Sequence, residues 1–334
     1  MVSPRFGVEF VPQKHPDKIV EYTVLAEKVG IDYVWITDHY NNRNVYITLT
    51  LIALNTKKVY LGPGVTNPYV INPCWTASAL ATLDEVSNGR AVLGIGAGDK
   101  ATLQQIGITW AKPLTTVKEA VIIMRKLLDG ETVKYDGKVF KVLNARLNYK
   151  PTRKIPIYIG AQAPKMLQLA GELGDGVLIN ASHPDDFKEA VPLIKKGAEK
   201  AGKDPGKIDI VAYTCFSVDL DKAKAKEAAI PVVAFIVAGA SDKVIERHGI
   251  KKEDVNRIRE YLSKGKILDA FKAVTDDMLE AFSIYGTPKE CIDKINTLLK
   301  VGITQIVFGS PIGPSKKKSL ELVGEILEHF KQSQ

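Results

Sequence analysis

The chain has 334 residues, 45% hydrophobic and 25% charged, which is ordinary globular material with ample core. Its formal charge of +8 is spread along helices among Asp and Glu, which excludes the concentrated basic patch of a nucleic-acid binder. No apolar run reaches the roughly 18 residues of a membrane helix. The start, Met1-Val2-Ser3-Pro4-Arg5-Phe6, reads as entering a strand directly, so no signal segment is expected. Three scattered cysteines, Cys74, Cys215 and Cys291, show no CxxC spacing and suit a reducing compartment. A soluble, cytoplasmic protein is expected. The densest basic run, Lys316-Lys317-Lys318, reads as a solvated face or as mild steering of an anionic ligand.

Strand and helix alternate along the chain. Arg5 to Val11 reads as strand one, followed by an amphipathic helix from Asp17 to Val29. Asp32 to Ile36 is strand two, with a helix near Val45 to Asn55. Lys58 to Leu61 is strand three, and Trp75 to Val86 a helix stopped by Ser87-Asn88-Gly89. Ala91 to Ile95 is strand four; Thr116 and Glu119 form a capping-box pattern before a helix ending near Asp129-Gly130. Residues 132 to 140 alternate around Asp136-Gly137 and predict a hairpin. Strands five to eight are Ile157 to Ile159, Val177 to Ile179, Ile208 to Phe216 and Ile303 to Phe308. Residues 221 to 282 read as wholly helical, more than one crossover needs.

One junction recurs, in which a helix end meets a glycine suited to a left-handed cap and then a strand: Gly30, Gly174 and Gly302. About eight such units without a long linker favour a closed (β/α)8 TIM barrel over an open sheet. The α/β expectation is one barrel domain over 1–334, with a hairpin insertion near 131–152 and a helical insertion near 221–282.

The strand ends carry the chemistry. Val59-Tyr60-Leu61 runs into Gly62-Pro63-Gly64-Val65-Thr66-Asn67-Pro68, an ending that suggests a bulge or a close approach of backbone to ligand. Strand two runs into Asp38-His39, and strand four into Gly96-Ala97-Gly98-Asp99. Polar groups at the carboxyl ends of successive strands fit a barrel enzyme. Alternation points Glu9 inward near the end of strand one, where burial raises a carboxyl pKa and makes it a candidate acid; a structural Glu paired with a neighbouring base is the other reading. Asp99 is the second candidate carboxylate, or a helix cap. Asp38 and His39 read as ligand contacts or as loop caps. No histidine has a partner at ligand spacing, so no metal is expected. Gly94, Gly96 and Gly98 lack the dinucleotide fingerprint and its acidic partner, so they are expected to let a flat ring or a bulky neighbour sit close. Gly160-Ala161-Gln162 precedes a helix start suited to an anion. Cys215 reads as a buried, inert thiol.

Taken in order, these segments resemble the bacterial-luciferase-like superfamily, and within it the coenzyme F420-dependent methylenetetrahydromethanopterin reductases of methanogenic archaea. The matching runs include Phe6–Pro12, Trp35–Asn42, Gly62–Tyr69, Ala81–Arg90, Gly94–Ala101, Gly160–Gln162, Leu178–Ser182 and Gly309–Pro314. The chain departs in one place, Ile71-Asn72-Pro73, where related sequences often carry a basic residue. The resemblance implies a (β/α)8 barrel of luciferase-like type and a non-proline cis peptide at Gly64-Val65 backing a deazaflavin. It implies F420 as cofactor, no metal, and homodimers or homotetramers. The implied reaction is reversible hydride transfer from F420 to methylenetetrahydromethanopterin, in methanogenesis from CO2. On that reading Glu9 and Asp99 are catalytic. Asp38, His39, Gly64, Val65, Thr66, Asn67, Gly98, Gly160, Ala161 and Gln162 bind the cofactor. The rivals are an FMN-dependent monooxygenase of the same superfamily and a non-catalytic ligand-binding barrel.

Overall fold

The computed structural model describes residues 4–332, so Met1 to Ser3 of the N-terminal reading lie outside the described residues. The chain begins β1 (Arg5–Phe10), α1 (Pro16–Val29), β2 (Tyr33–Ile36), α2 (Val45–Asn55), β3 (Tyr60–Pro63) and α3 (Pro73–Val86). It continues with β4 (Leu93–Ile95), α4 (Lys100–Gln105), α5 (Pro113–Leu128), the hairpin β5 (Val133–Asp136) and β6 (Lys141–Ala145), then β7 (Ile157–Gly160). Next come α6 (Pro164–Leu173), β8 (Gly176–Ile179), α7 (Pro184–Lys200) and β9 (Asp209–Val218). Five helices follow: α8 (Lys222–Gly239), α9 (Asp242–Arg247), α10 (Lys252–Ser263), α11 (Ile267–Lys272) and α12 (Asp276–Phe282). The chain closes with β10 (Ile284–Gly286), α13 (Pro288–Leu299), β11 (Gln305–Ile312) and α14 (Lys316–Gln332). This is the alternation of a (β/α)8 barrel carrying a hairpin and a helical insertion.

Two compact units make up the fold. One comprises Gly7–Ile179 and Pro192–Ile210. Within it β1, β2 and β3 pair in parallel, as do β4, β7 and β8. Bridges Leu61–Ala91 and Thr66–Ile95 link the β3 segment to the β4 segment. On the inner face Trp35 packs against Tyr33 and edge-on against Tyr158, whose hydroxyl donates to Asp209 at 2.9 Å. The other unit comprises the residues up to Phe6, Asn180–Val191 and everything from Val211 onward. Here β9 pairs in parallel with β10 and with β11. Helices α8 to α12 bury Val233, Val237, Ile258, Met278 and Phe282 in a core of their own. Arg247 pairs with Asp186 and Glu189 and pins α9 to the start of α7.

Several local expectations change. The Thr116/Glu119 pair is no capping box: α5 starts a turn earlier, at Pro113. Glu119 instead accepts the amides of Lys138, Val139 and Phe140 at 2.7–3.0 Å, and so organises the hairpin loop. That loop is longer than an Asp-Gly turn, with Gly137 N–H donating to Phe140. A capping box does exist at Thr287/Glu290, at the start of α13. Gly30 and Gly302 take positive φ, but Gly174 does not. A side chain at Gly174 would collide with the carbonyls of Ala170 and Gly176, so close packing rather than handedness requires it. Strand β3 is shifted toward Pro63, and the short strand β10 had no sequence signal.

Helix α2 ends without a glycine cap, and its terminal carbonyls are met from a distance. The buried Arg90 guanidinium donates to the carbonyls of Ala53, Thr56 and Val59 at 2.8–3.0 Å and to the Thr56 hydroxyl. Glu27 does the reverse, accepting the amides of Lys57, Lys58 and Val59. These contacts fix the entry into β3, which bears the bulge. Arg90→Met keeps the stem but orphans the three carbonyls. It should cost about 3 kcal/mol of unfolding free energy in urea titration.

Candidate active site

The site forms at the carboxyl ends of β1, β2, β3, β4 and β7, all within one unit. Glu9 is the penultimate residue of β1 and is 9% exposed. Its register partner is Trp35, so the two share the inner face. Two residues on, Thr37 continues that face; its hydroxyl and the Trp35 indole N–H are both buried without a hydrogen-bond partner. Thr37 was not singled out from sequence, although the same alternation that turns Glu9 inward applies to it.

Beyond Pro63 the strand breaks step. The Gly64-Val65 peptide is cis, as the family resemblance implied. Gly64 N–H donates to Ile36, Thr66 N–H to Gly94, and Gly96 N–H to Thr66, so the bulge is tied to both neighbouring strands. Val65 fills the space left by three glycines. A Cβ on Gly94 would collide with the Pro63 carbonyl and press on Val65. One on Gly96 would stand 3.0 Å from Val65, and one on Gly160 3.4 Å. Gly94 and Gly96 thus make room for a bulky neighbour, one of the two alternatives read from sequence. Gly98 has φ +68° and packs on Asn67, whose side-chain oxygen accepts the amides of Tyr69 and Val70 to close its own turn.

Three acidic groups at this rim differ in environment. The Thr66 hydroxyl donates to Asp38 at 2.6 Å. Burial raises the Asp38 pKa, and the Thr66 hydrogen bond and nearby His39 only partly offset it. Asp99 goes the other way. It caps α4, accepting the Thr102 amide at 2.7 Å and the Thr102 hydroxyl. Burial opposes its ionisation, but the Thr102 hydroxyl, the Thr102 and Ala101 amides and His39 outweigh it, so its pKa is lowered. His39 therefore interacts with both Asp38 and Asp99. Glu9, the third, lies deeper on the inner face. Ala161 is buried and pairs with Leu178, whereas Gln162 is exposed at the rim. Ala163, the residue that starts α6 beside it, supplies no side-chain cap.

Tyr46, also missed from sequence, enters from α2. Its hydroxyl is buried near Asp38, Thr66 and Thr76. Burial and the Asp38 charge push its pKa up.

The family model described as luciferase-like monooxygenase matches residues 1–305. A 5,10-methylenetetrahydromethanopterin reductase of Archaeoglobus fulgidus is 58% identical over 98% of this chain and 100% of its own. The enzyme of that name from Methanolobus tindarius is 54% identical over 96% and 98%. The chain belongs to this reductase family within the luciferase-like proteins. Among solved structures, the coenzyme F420-dependent tetrahydromethanopterin reductase of Methanopyrus kandleri is 46% identical, with a TM-score of 0.94 over 98% of this chain and 100% of that one. The fold is accordingly the luciferase-like (β/α)8 barrel. The residues present suit the family's planar cofactor: a glycine-flanked bulge offers a flat backing, and the Thr37 hydroxyl is a buried donor without a partner.

The space around Val65 sets a ranking that reductase variants can check. Gly94→Ala should lose about 1–3 kcal/mol through overpacking. Gly160→Ala, whose new methyl meets Val65 at ordinary contact distance, should stay close to wild type in thermal unfolding.

Proposed function

We infer that the protein reversibly reduces 5,10-methylenetetrahydromethanopterin to 5-methyltetrahydromethanopterin with reduced coenzyme F420, an oxidoreductase step of methanogenesis from CO2. Full-length membership in the reductase family carries this reading. When bound, F420 supplies the hydride from its C5. Its ring is assigned to the face formed by Gly64, Val65 and Thr66, with Asp38, His39, Asn67, Gly98, Gly160, Ala161 and Gln162 around it. The chain's own task is to make the substrate carbon a hydride acceptor and to hold it in place.

The methylene carbon bridges two pterin nitrogens and is a poor electrophile while both bonds persist. Proton donation to one nitrogen lets its C–N bond break, the electron pair staying on that nitrogen. The iminium left on the substrate takes the hydride. Glu9 is assigned as the donor, because it is buried on the inner face near the strand end. Asp99 is the poorer acid, since its cap favours the ionised form. It is assigned to orienting the pterin or tuning Glu9.

Homo-oligomer formation is part of the proposal. Helix α2, VYITLTLIALN, has no charged residue, yet Ile47 and Leu54 are 64% and 67% exposed and Trp75 on α3 is 73% exposed. A helix apolar all round is normally covered, and a second copy is the proposed cover. No helix among the described residues is long and apolar enough to cross a membrane. The three cysteines are free, which supports a cytoplasmic setting.

Anaerobic mixing of protein, reduced F420 and the methylene pterin should raise the absorbance band of oxidised F420 only when the pterin is present. A pterin-independent trace, or none, would reject the reaction. Glu9→Gln should slow turnover roughly 100- to 10,000-fold while leaving F420 affinity unchanged. Asp99→Asn should keep its melting temperature, since Asn caps about as well as Asp, but should bind the pterin more weakly. Ile47→Glu with Trp75→Glu should lower the mass seen in sedimentation velocity; an unchanged mass would place the interface elsewhere.

A further inference from the structure

The Asp38–Thr66 hydrogen bond has a third participant on α2. Thr66 spends its hydroxyl proton on Asp38, so its oxygen remains able to accept. The Tyr46 hydroxyl is buried beside it and beside Thr76, completes no hydrogen bond of normal geometry, and is held there by a well-capped helix start. The Asn44 side chain accepts the amides of Tyr46 and Ile47, fixing the first turn of α2. Thr66 and Thr76 are almost fully buried, so bulk water does not compete for the tyrosine proton. A buried hydroxyl without an acceptor is costly, and a lone pair is available next to it.

We propose that Tyr46 is a positioning residue of the F420 site, closing a directional chain in which its hydroxyl donates to Thr66 and Thr66 donates to Asp38. The chain polarises the Thr66 hydroxyl and so strengthens the donation that favours ionised Asp38 against burial. The groups that act on Asp38 are Thr66 from the bulge and His39 from its own loop; the Asp38 charge in turn acts on Tyr46 from α2, and His39 also acts on Asp99 across the rim. The consequence is specific: Tyr46 keeps Asp38 ionised in the cofactor-binding conformation near neutral pH. The inference rests on Asp38 facing the cofactor, as assigned above.

The test is fluorescence titration of F420 binding between pH 5 and 8.5, run in parallel on wild type, Tyr46→Phe, Thr66→Val, Thr66→Ser and Asp38→Asn, with the melting temperature of each. Loss of the tyrosine proton raises the Asp38 pKa, so the acid-side loss of affinity should move to higher pH. Tyr46→Phe is expected to bind about fivefold to tenfold more weakly on the acid side and to converge on wild type above pH 8. Thr66→Val, which removes the direct donation as well, should shift the limb further, Thr66→Ser should keep the wild-type profile, and the double variant Tyr46→Phe/Thr66→Val should match Thr66→Val. A Tyr46→Phe profile superimposed on wild type overturns the proposal, as does an equal weakening at every pH, which marks a merely structural role. If Tyr46→Phe fails to fold, 3-fluorotyrosine at position 46, a stronger donor, decides: the acid-side loss should move to lower pH, and an unmoved profile overturns the proposal. Wild-type affinity in Asp38→Asn would overturn the placement of Asp38 instead, a separate result.

Discussion

The site depends on one packing constraint: Val65 must enter a space that β4 and β7 leave open by having no side chains there. Gly94, Gly96 and Gly160 surround it, and the carbonyl of Pro63 lies where a Gly94 side chain would be. The bulge can therefore leave the plane of its own strand while its amides remain paired with Ile36 and Gly94. Thr66 is delivered to Asp38 as a consequence, and Asn67 to Gly98. Interiors are packed densely enough that one methyl at Gly94 or Gly96 would be felt.

The rim then sorts its acids by environment rather than by residue type. Asp38 and Asp99 both interact with His39, yet their proton affinities move in opposite directions. Asp38 is half-buried and accepts from the Thr66 hydroxyl; Asp99 sits at a helix start, where amides and a hydroxyl converge on it. Carboxyls that differ in this way can divide binding and proton transfer among themselves on one scaffold. Glu9, on the inner face and one layer below Thr37, is the one proposed as the acid.

Support comes from charged side chains used as backbone caps. Arg90 closes the end of α2, Glu27 opens β3, and Glu119 gathers the hairpin loop. None of the three is primarily an ion pair. Each satisfies several buried or half-buried backbone groups that no regular ladder reaches. The segment leading into the bulge is held from both sides by Arg90 and Glu27.

Much of this was legible in the chain itself. The alternation of strands and helices, the inward face of Glu9 and the unusual ending of β3 follow from periodicity and from glycine and proline placement, which are local properties. The helical character of the stretch from Lys222 to Phe282 was legible for the same reason. The cis bond was not a local deduction; it came with the family resemblance. What local pattern could not reach were long-range choices. Glu119 fits a capping box by spacing, but α5 begins at Pro113 and the carboxylate goes to amides nearly twenty residues away. Asp99 fits both a catalytic acid and a cap, and only the position of Thr102 and His39 gives its carboxyl a lowered pKa. Tyr46 has no sequence signal at all, because what matters about it is the burial of its hydroxyl against Thr66 and Thr76, residues of other segments. Sequence determined which elements form and which way their side chains alternate, since φ/ψ preference and period are short-range. Tertiary structure decided which polar groups share a site and what proton affinity each has, since desolvation and hydrogen bonding depend on neighbours distant in the chain.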